Sequence, residues 1–198
     1  MDPLILIVTF AFLGYAIKYI DQAYDEQEFS IRSANLVAIT AGVLMGTLMA
    51  FDSPFSTAFF VAMIISLVLA KKIDNVAFAA GSAIAFVMMG VFIYTLDTNV
   101  TFLVIPIALF LFAGFVDEVV DGFAHKHRLG NLAEKFCHYR PFSDFALFGM
   151  IAFGMFDWVY ILPYFSFTIA YMLVGRINPM EIALGIRQVI RRASKFRP

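Results

Sequence analysis

Charged residues interrupt the chain only at intervals. The stretches free of Asp, Glu, Lys and Arg are 3–17, 33–51, 53–70, 75–96, 98–116, 145–156 and 158–175. A helix rising 1.5 Å per residue needs about 17–25 residues to cross the hydrocarbon of a bilayer. Four of the central stretches meet that length. The first meets it if Lys18 bends its long stem toward the headgroups. The sixth is short and must borrow Pro141–Asp144 or cross a thinned region. The pattern predicts an all-α protein: a polytopic integral membrane bundle of about seven transmembrane helices. The last hairpin, 145–175, reads equally as two spans or as a re-entrant pair.

Local signals mark several boundaries. Ser53-Pro54 supplies an N-cap and a proline at the first helical position. Asn178-Pro179-Met180-Glu181 reads as a capping box opening a last helix over about 179–192. In that segment Ile182, Ile186, Val189 and Ile190 oppose Arg187, Arg191 and Arg192. This predicts either an amphipathic helix lying on a leaflet or a solvated basic tail. The chain thus divides into one transmembrane domain, 1–176, with a loop over 118–143, and a basic segment, 177–198.

Composition sharpens the assignment. Of 198 residues 62% are apolar and 15% charged, against about 45–50% and 25% in soluble domains. The single cysteine, Cys137, excludes an intramolecular disulfide. This composition, with a net charge of −1, argues against a nucleic-acid binder.

The bases set the orientation. With the N-terminus outside and seven passes, all fourteen Lys and Arg fall on one side. The opposite side keeps Asp2, Asp52, Asp97 and Asp157. The positive-inside rule makes the basic loops and the C-terminus cytoplasmic. The start, Met-Asp-Pro, lacks the basic flank of a cleavable signal, so the first span is expected to stay.

Alternate spans end alike: Ile20-Asp21, Ile73-Asp74, Val116-Asp117 and Ile177-Asn178. These ends read as helical hairpins repeated in parallel, or as convergence on residues that suit an interface.

Candidate chemistry gathers at the cytoplasmic ends, while the span centres offer only Ser and Thr such as Thr9, Thr40, Ser66 and Ser166. Asp117, Asp121 and His125 follow at i, i+4 and i+8, one face of a helix if Gly122 does not interrupt it. Asp117 and Asp121 are the catalytic candidates. They are also candidate metal ligands, with Asp21, Asp25, Asp74 and His125 as auxiliaries. Carboxylate oxygens favour Mg²⁺ or Mn²⁺ over Zn²⁺. Lys72, Lys126, Arg128, Arg140 and Arg176 would neutralise a phosphate. The alternative is an interfacial salt-bridge network. His125, His127, His138 and Cys137 lie close in sequence but match no standard zinc spacing. Walker A, dinucleotide-binding and zincin motifs are absent.

Three functions remain open on these grounds. One is a metal-dependent enzyme acting on a phosphate-bearing or isoprenoid lipid at the cytoplasmic leaflet. Another is a cation or small-solute transporter or channel. The third is a non-catalytic scaffold or complex subunit. Expected partners are membrane lipids and a second copy or another protein on the cytoplasmic face.

Overall fold

The computed structural model describes residues 1–27, 29–127, 136, 139 and 141–175. Among these the secondary structure is helical, with no strand. The α-helices are α1 (Pro3–Asp21), α2 (Ile31–Phe51), α3 (Pro54–Leu69), α4 (Val76–Leu96), α5 (Val104–His127), α6 (Pro141–Ala152) and α7 (Ile161–Val174). A π turn, Gln22–Glu26, prolongs α1, and a 3₁₀ turn, Trp158–Tyr160, leads into α7. Each charge-free stretch of the sequence contributes one helix.

Short polar side chains start these helices by accepting their first N–H groups. Asp2 takes the Leu4 N–H at 2.8 Å, Asn75 that of Phe78 at 2.9 Å, and Ser53 that of Ser56 at 3.4 Å. At the other ends Gln27, Lys71 and Asp97 adopt positive φ, the left-handed conformation that stops a helix. The fifth helix differs from its charge-free stretch at both ends. Thr98–Leu103 is not helical, and α5 starts at Val104 with Pro106 in its first turn. It then continues through Asp117, Asp121 and Gly122 to His127, so the expected loop 118–143 begins as helix.

The sixth helix does borrow Pro141–Asp144, yet reaches only 12 residues, about 18 Å. After it the chain turns at Phe153 and Trp158, both strongly exposed.

The helices pack in adjacent pairs: α1 on α7, α2 on α4, α3 on α5, and α5 on α6. Glycines permit the closest approaches. A methyl at Gly14 would land on the Phe167 carbonyl oxygen, and one at Gly42 or Gly46 would press on the backbone of α4. Ser166 Oγ donates to the Ile7 carbonyl at 2.9 Å, so it ties α7 to α1 as well as bonding back to Pro163.

Phenylalanine fills the centre. Phe10, Phe55 and Phe60 are fully enclosed, and rings from α1, α3, α5 and α7 stack or meet edge-on around them. Phe10 and Phe60 have centroids 5.0 Å apart, and Phe59 meets Phe167 edge-on at 5.4 Å. Edge-to-face pairs of this kind add to the burial of each ring.

The outside carries many exposed apolar side chains. Leu4, Val8, Leu36, Val87, Ile105 and Phe112 are exposed, a surface that water would not tolerate at this density. The segments Pro3–Asp25, Ile31–Phe51 and Val76–Leu96 are each long and apolar enough to cross a membrane, and α3, α6 and α7 are shorter apolar helices. The chain has the build of a membrane protein.

The proposed internal repeat gains nothing from this arrangement. Asp21 closes α1, Asp74 lies in the linker after α3, and Asp117 sits well inside α5.

Candidate functional site

Carboxylates from three separate parts of the chain converge at one end of the bundle. They line a cavity of about 420 Å³. Asp21 closes α1 and Asp25 lies in the π turn after it. Asp74 comes from the α3–α4 linker, while Glu118 and Asp121 come from consecutive turns of α5. Among the described residues Lys18 and Lys72 are the lining cations, so carboxylates outnumber ammonium groups there five to two. The rest of the wall is apolar or aromatic: Ile17, Met63, Leu67, Phe78, Phe167 and Tyr171. Asp25 lies close enough to Asp21 to share a hydrogen bond and within electrostatic reach of Asp74.

The local chain explains the placement. The π turn adds a residue to the helical winding, carrying Asp25 round to the cavity side. Gln22, within the turn, is buried at 3% exposure.

Lys18 occupies the wall as a tethered cation. Its Nζ lies 2.5 Å from Asp21 Oδ2 and 5.7 Å from the centre of the Tyr171 ring. Lys72, by contrast, is exposed.

Asp117 takes a different position from its i+4 partner. It is 1% exposed, and its two oxygens accept from the Phe142 N–H at 3.0 Å, the Ser143 N–H at 2.9 Å and the Ser143 hydroxyl at 2.6 Å. These are the orphan donors at the start of α6, so Asp117 caps that helix from α5. A second carboxylate fastens the same helix. Asp144 accepts from the Tyr164 hydroxyl at 2.8 Å, joining α6 to α7.

Behind the cavity is a chamber of about 50 Å³, lined in part by Ser66, Asp117, Glu118, Ser143, Tyr164 and Thr168. Glu118, Met63, Leu67 and Phe167 line both spaces.

The structure therefore brings together Asp21, Asp25, Asp74, Asp121 and Lys72 from the sequence-derived set. Asp117 stands apart, in the inner chamber. The side chains of His125 and Lys126 lie outside the described residues. So do Arg128, Arg140 and Arg176, the His127–Cys137–His138 group and the amphipathic segment after Gly175. Among the described residues no group of three or more His, Cys, Asp or Glu is close enough to hold a metal ion by itself. The carboxylates stand around a space rather than around a point.

Sequence reasoning missed two lining residues, Lys18 and Glu118, and the Asp144–Tyr164 pair. Lys18 was readable as the i, i+3 partner of Asp21. Glu118 and Asp121 share a helical face as well as Asp117 and Asp121 do, and periodicity alone does not choose between them. Asp144 carried no signal short of its tertiary contact.

No family model, curated protein or solved structure matches this chain.

Proposed function

We propose that this protein is a seven-span membrane protein, N-terminus outside, whose acidic cavity opens at the cytoplasmic leaflet. There it binds a phosphate-bearing or isoprenoid lipid through a divalent cation and acts on it as an enzyme. The observation that carries this reading is the convergence of Asp21, Asp25, Asp74, Glu118 and Asp121 on one space of about 420 Å³. That volume falls within the usual range for small-molecule sites. Like charges so gathered repel one another, and a bound cation relieves the repulsion.

The spacing of the carboxylates supports Mg²⁺ or Mn²⁺ over Zn²⁺. Zinc demands three or four protein ligands at one point. Magnesium keeps several of its waters and is held by one or two carboxylates together with substrate phosphates. Asp121, with Asp21, Asp25 and Asp74, would face such a cation across the cavity. Lys72 would meet the phosphate directly, with Lys126, Arg128, Arg140 and Arg176 as the further phosphate-binding candidates. The apolar wall, Ile17, Met63, Leu67 and Phe167, suits the first carbons of a lipid chain. Asp117 serves this site by holding α6 in place.

A second reading, a cation pathway, draws on the inner chamber, where Ser66, Ser143 and Thr168 continue the polar lining inward past Glu118. Solute flux through proteoliposomes without lipid turnover would favour it.

The enzyme reading is tested by retention of a long-chain lipid phosphate on purified protein. Retention should require Mg²⁺, vanish with EDTA, and fall by about tenfold or more in Asp21→Asn/Asp121→Asn. Equal retention of the corresponding lipid alcohol, or retention in EDTA, would overturn it.

A further inference from the structure

Polar side chains also meet deeper in the bundle, around the chamber that adjoins the acidic cavity at Glu118. Ser66 reaches it from α3, Asp117 and Glu118 from α5, Ser143 from α6, and Tyr164 and Thr168 from α7. Gly114 helps to keep the space open, since a methyl there would stand 3.0 Å from the Ser66 hydroxyl. A buried water needs about 10–15 Å³ of such space and two or more polar partners. The chamber, at about 50 Å³, therefore has room for about three waters among these groups.

The line of polar groups continues past the chamber wall. Tyr164, 3% exposed, donates its hydroxyl to Asp144 Oδ1 at 2.8 Å. The phenol oxygen is an acceptor as well as a donor, so it can take a hydrogen bond from a chamber water while it donates onward. Asp144 is 8% exposed and lines neither the chamber nor the cavity. Ionisable side chains placed inside a membrane are costly to keep and mark proton relays and ion paths. Among the described residues, the other titratable groups within electrostatic reach of Asp144 are Asp117 of α5 and Tyr139 ahead of α6. Asp117 is committed to its three donors at the start of α6, whereas Asp144 is joined to a hydroxyl able to deliver a proton.

We propose that the chamber waters, Tyr164 and Asp144 form a proton relay that leads inward from the acidic cavity at Glu118 and ends on Asp144. This goes beyond the lipid and cation readings of the cavity and depends on neither. A proton leaving the Glu118 carboxyl passes to a chamber water, and that water gives one of its own protons to Tyr164 Oη. As the new O–H bond forms, the hydrogen already on the hydroxyl crosses to Asp144 Oδ1. Glu118 ends as a carboxylate and Asp144 as a carboxylic acid, while the water and the tyrosine are unchanged. The α6–α7 hairpin thus stores a proton, and the reverse sequence returns it.

The test follows the carboxyl C=O stretch of the full chain in lipid by infrared difference spectroscopy as the pH is lowered. The wild type should gain a buried-carboxyl band that Asp144→Asn lacks. On exchange into D₂O, the isotope shift of that band should be slowed about tenfold or more in Tyr164→Phe, which keeps the carboxyl and loses the hydroxyl. No such band in the folded wild type, or the same band in Asp144→Asn, would overturn Asp144 as the end of the relay. A band in Tyr164→Phe that exchanges as fast as in the wild type would overturn the route. Should a variant fail to fold, radiolytic hydroxyl-radical footprinting of the wild type marks side chains that border internal water. Tyr164 and Phe59 border the chamber and should be oxidised several-fold faster than Phe10 and Phe60, which are enclosed away from it. Equal rates would overturn the chamber as a water site, and the relay with it.

Discussion

Asp117 and Asp121 are one helical turn apart and do different work. Asp117 is enclosed and accepts three hydrogen bonds from the start of α6, whereas Asp121 lines the open cavity. In the proposed function the pair separates stability from binding. Asp117→Ala strands two backbone N–H groups and a hydroxyl in a buried place, and should cost about 3 kcal/mol, read as a lower unfolding midpoint in detergent. Asp121→Asn should weaken divalent-cation binding in a protein that still folds. Tyr164→Phe removes the donor to Asp144 and should cost about 1–3 kcal/mol without touching the cavity. Periodicity placed Asp117 and Asp121 on a common face, as α5 confirms. It could not show that α6 would fold back against Asp117, because that contact joins residues 25 and 26 positions apart.

At the scale of helices, the pairs α1–α7 and α2–α4 depend on glycine. Gly14→Ala would drive a methyl into the Phe167 carbonyl and should destabilise by about 1–3 kcal/mol. Gly90→Ala is the contrast, since nothing lies within 4 Å of the added atom. That change should be neutral or stabilise by up to about 1 kcal/mol through helix propensity alone. Denaturant midpoints of the two variants, measured side by side, check the claim. The helices themselves were legible in the charge-free stretches, and Ser53-Pro54 marked the start of α3 correctly. The start of α5 was not, because Thr98–Leu103 is free of charge yet remains non-helical ahead of Pro106. The ends of α1 and α5 were not legible either. Charge spacing cannot announce a π turn at Gln22–Glu26 or a helix that carries Asp117 and Asp121 onward to His127.

Across the whole molecule, the exposed apolar surface and the long helices α1, α2 and α4 describe a protein made for a bilayer. The proposed orientation, read from the distribution of bases, adds a direction to that description. Cys137 is the only thiol and falls among the basic residues, so it reports sidedness unaided. A membrane-impermeant maleimide should label it in inside-out vesicles and leave it unlabelled in right-side-out vesicles until detergent is added. The reverse pattern would place the cavity on the opposite leaflet and remove cytoplasmic lipids as its ligands. The convergence of the acidic residues belongs to this scale too. Asp21, Asp25, Asp74 and Asp121 were each visible along the sequence as helix-end carboxylates. Only the packing of α1, α3 and α5 shows that they surround one space.

The central claim is that this space takes a divalent cation in the company of a phosphate. Its most direct test is a calorimetric titration of Mn²⁺ into purified protein, with and without inorganic diphosphate, on wild type and on Asp21→Asn/Asp74→Asn/Asp121→Asn. The account predicts saturable binding by the wild type, tightened by diphosphate and lost in the triple variant, with both proteins unfolding at similar temperatures. Binding that survives in a folded triple variant, or a folded wild type that takes up no Mn²⁺ under either condition, would contradict it.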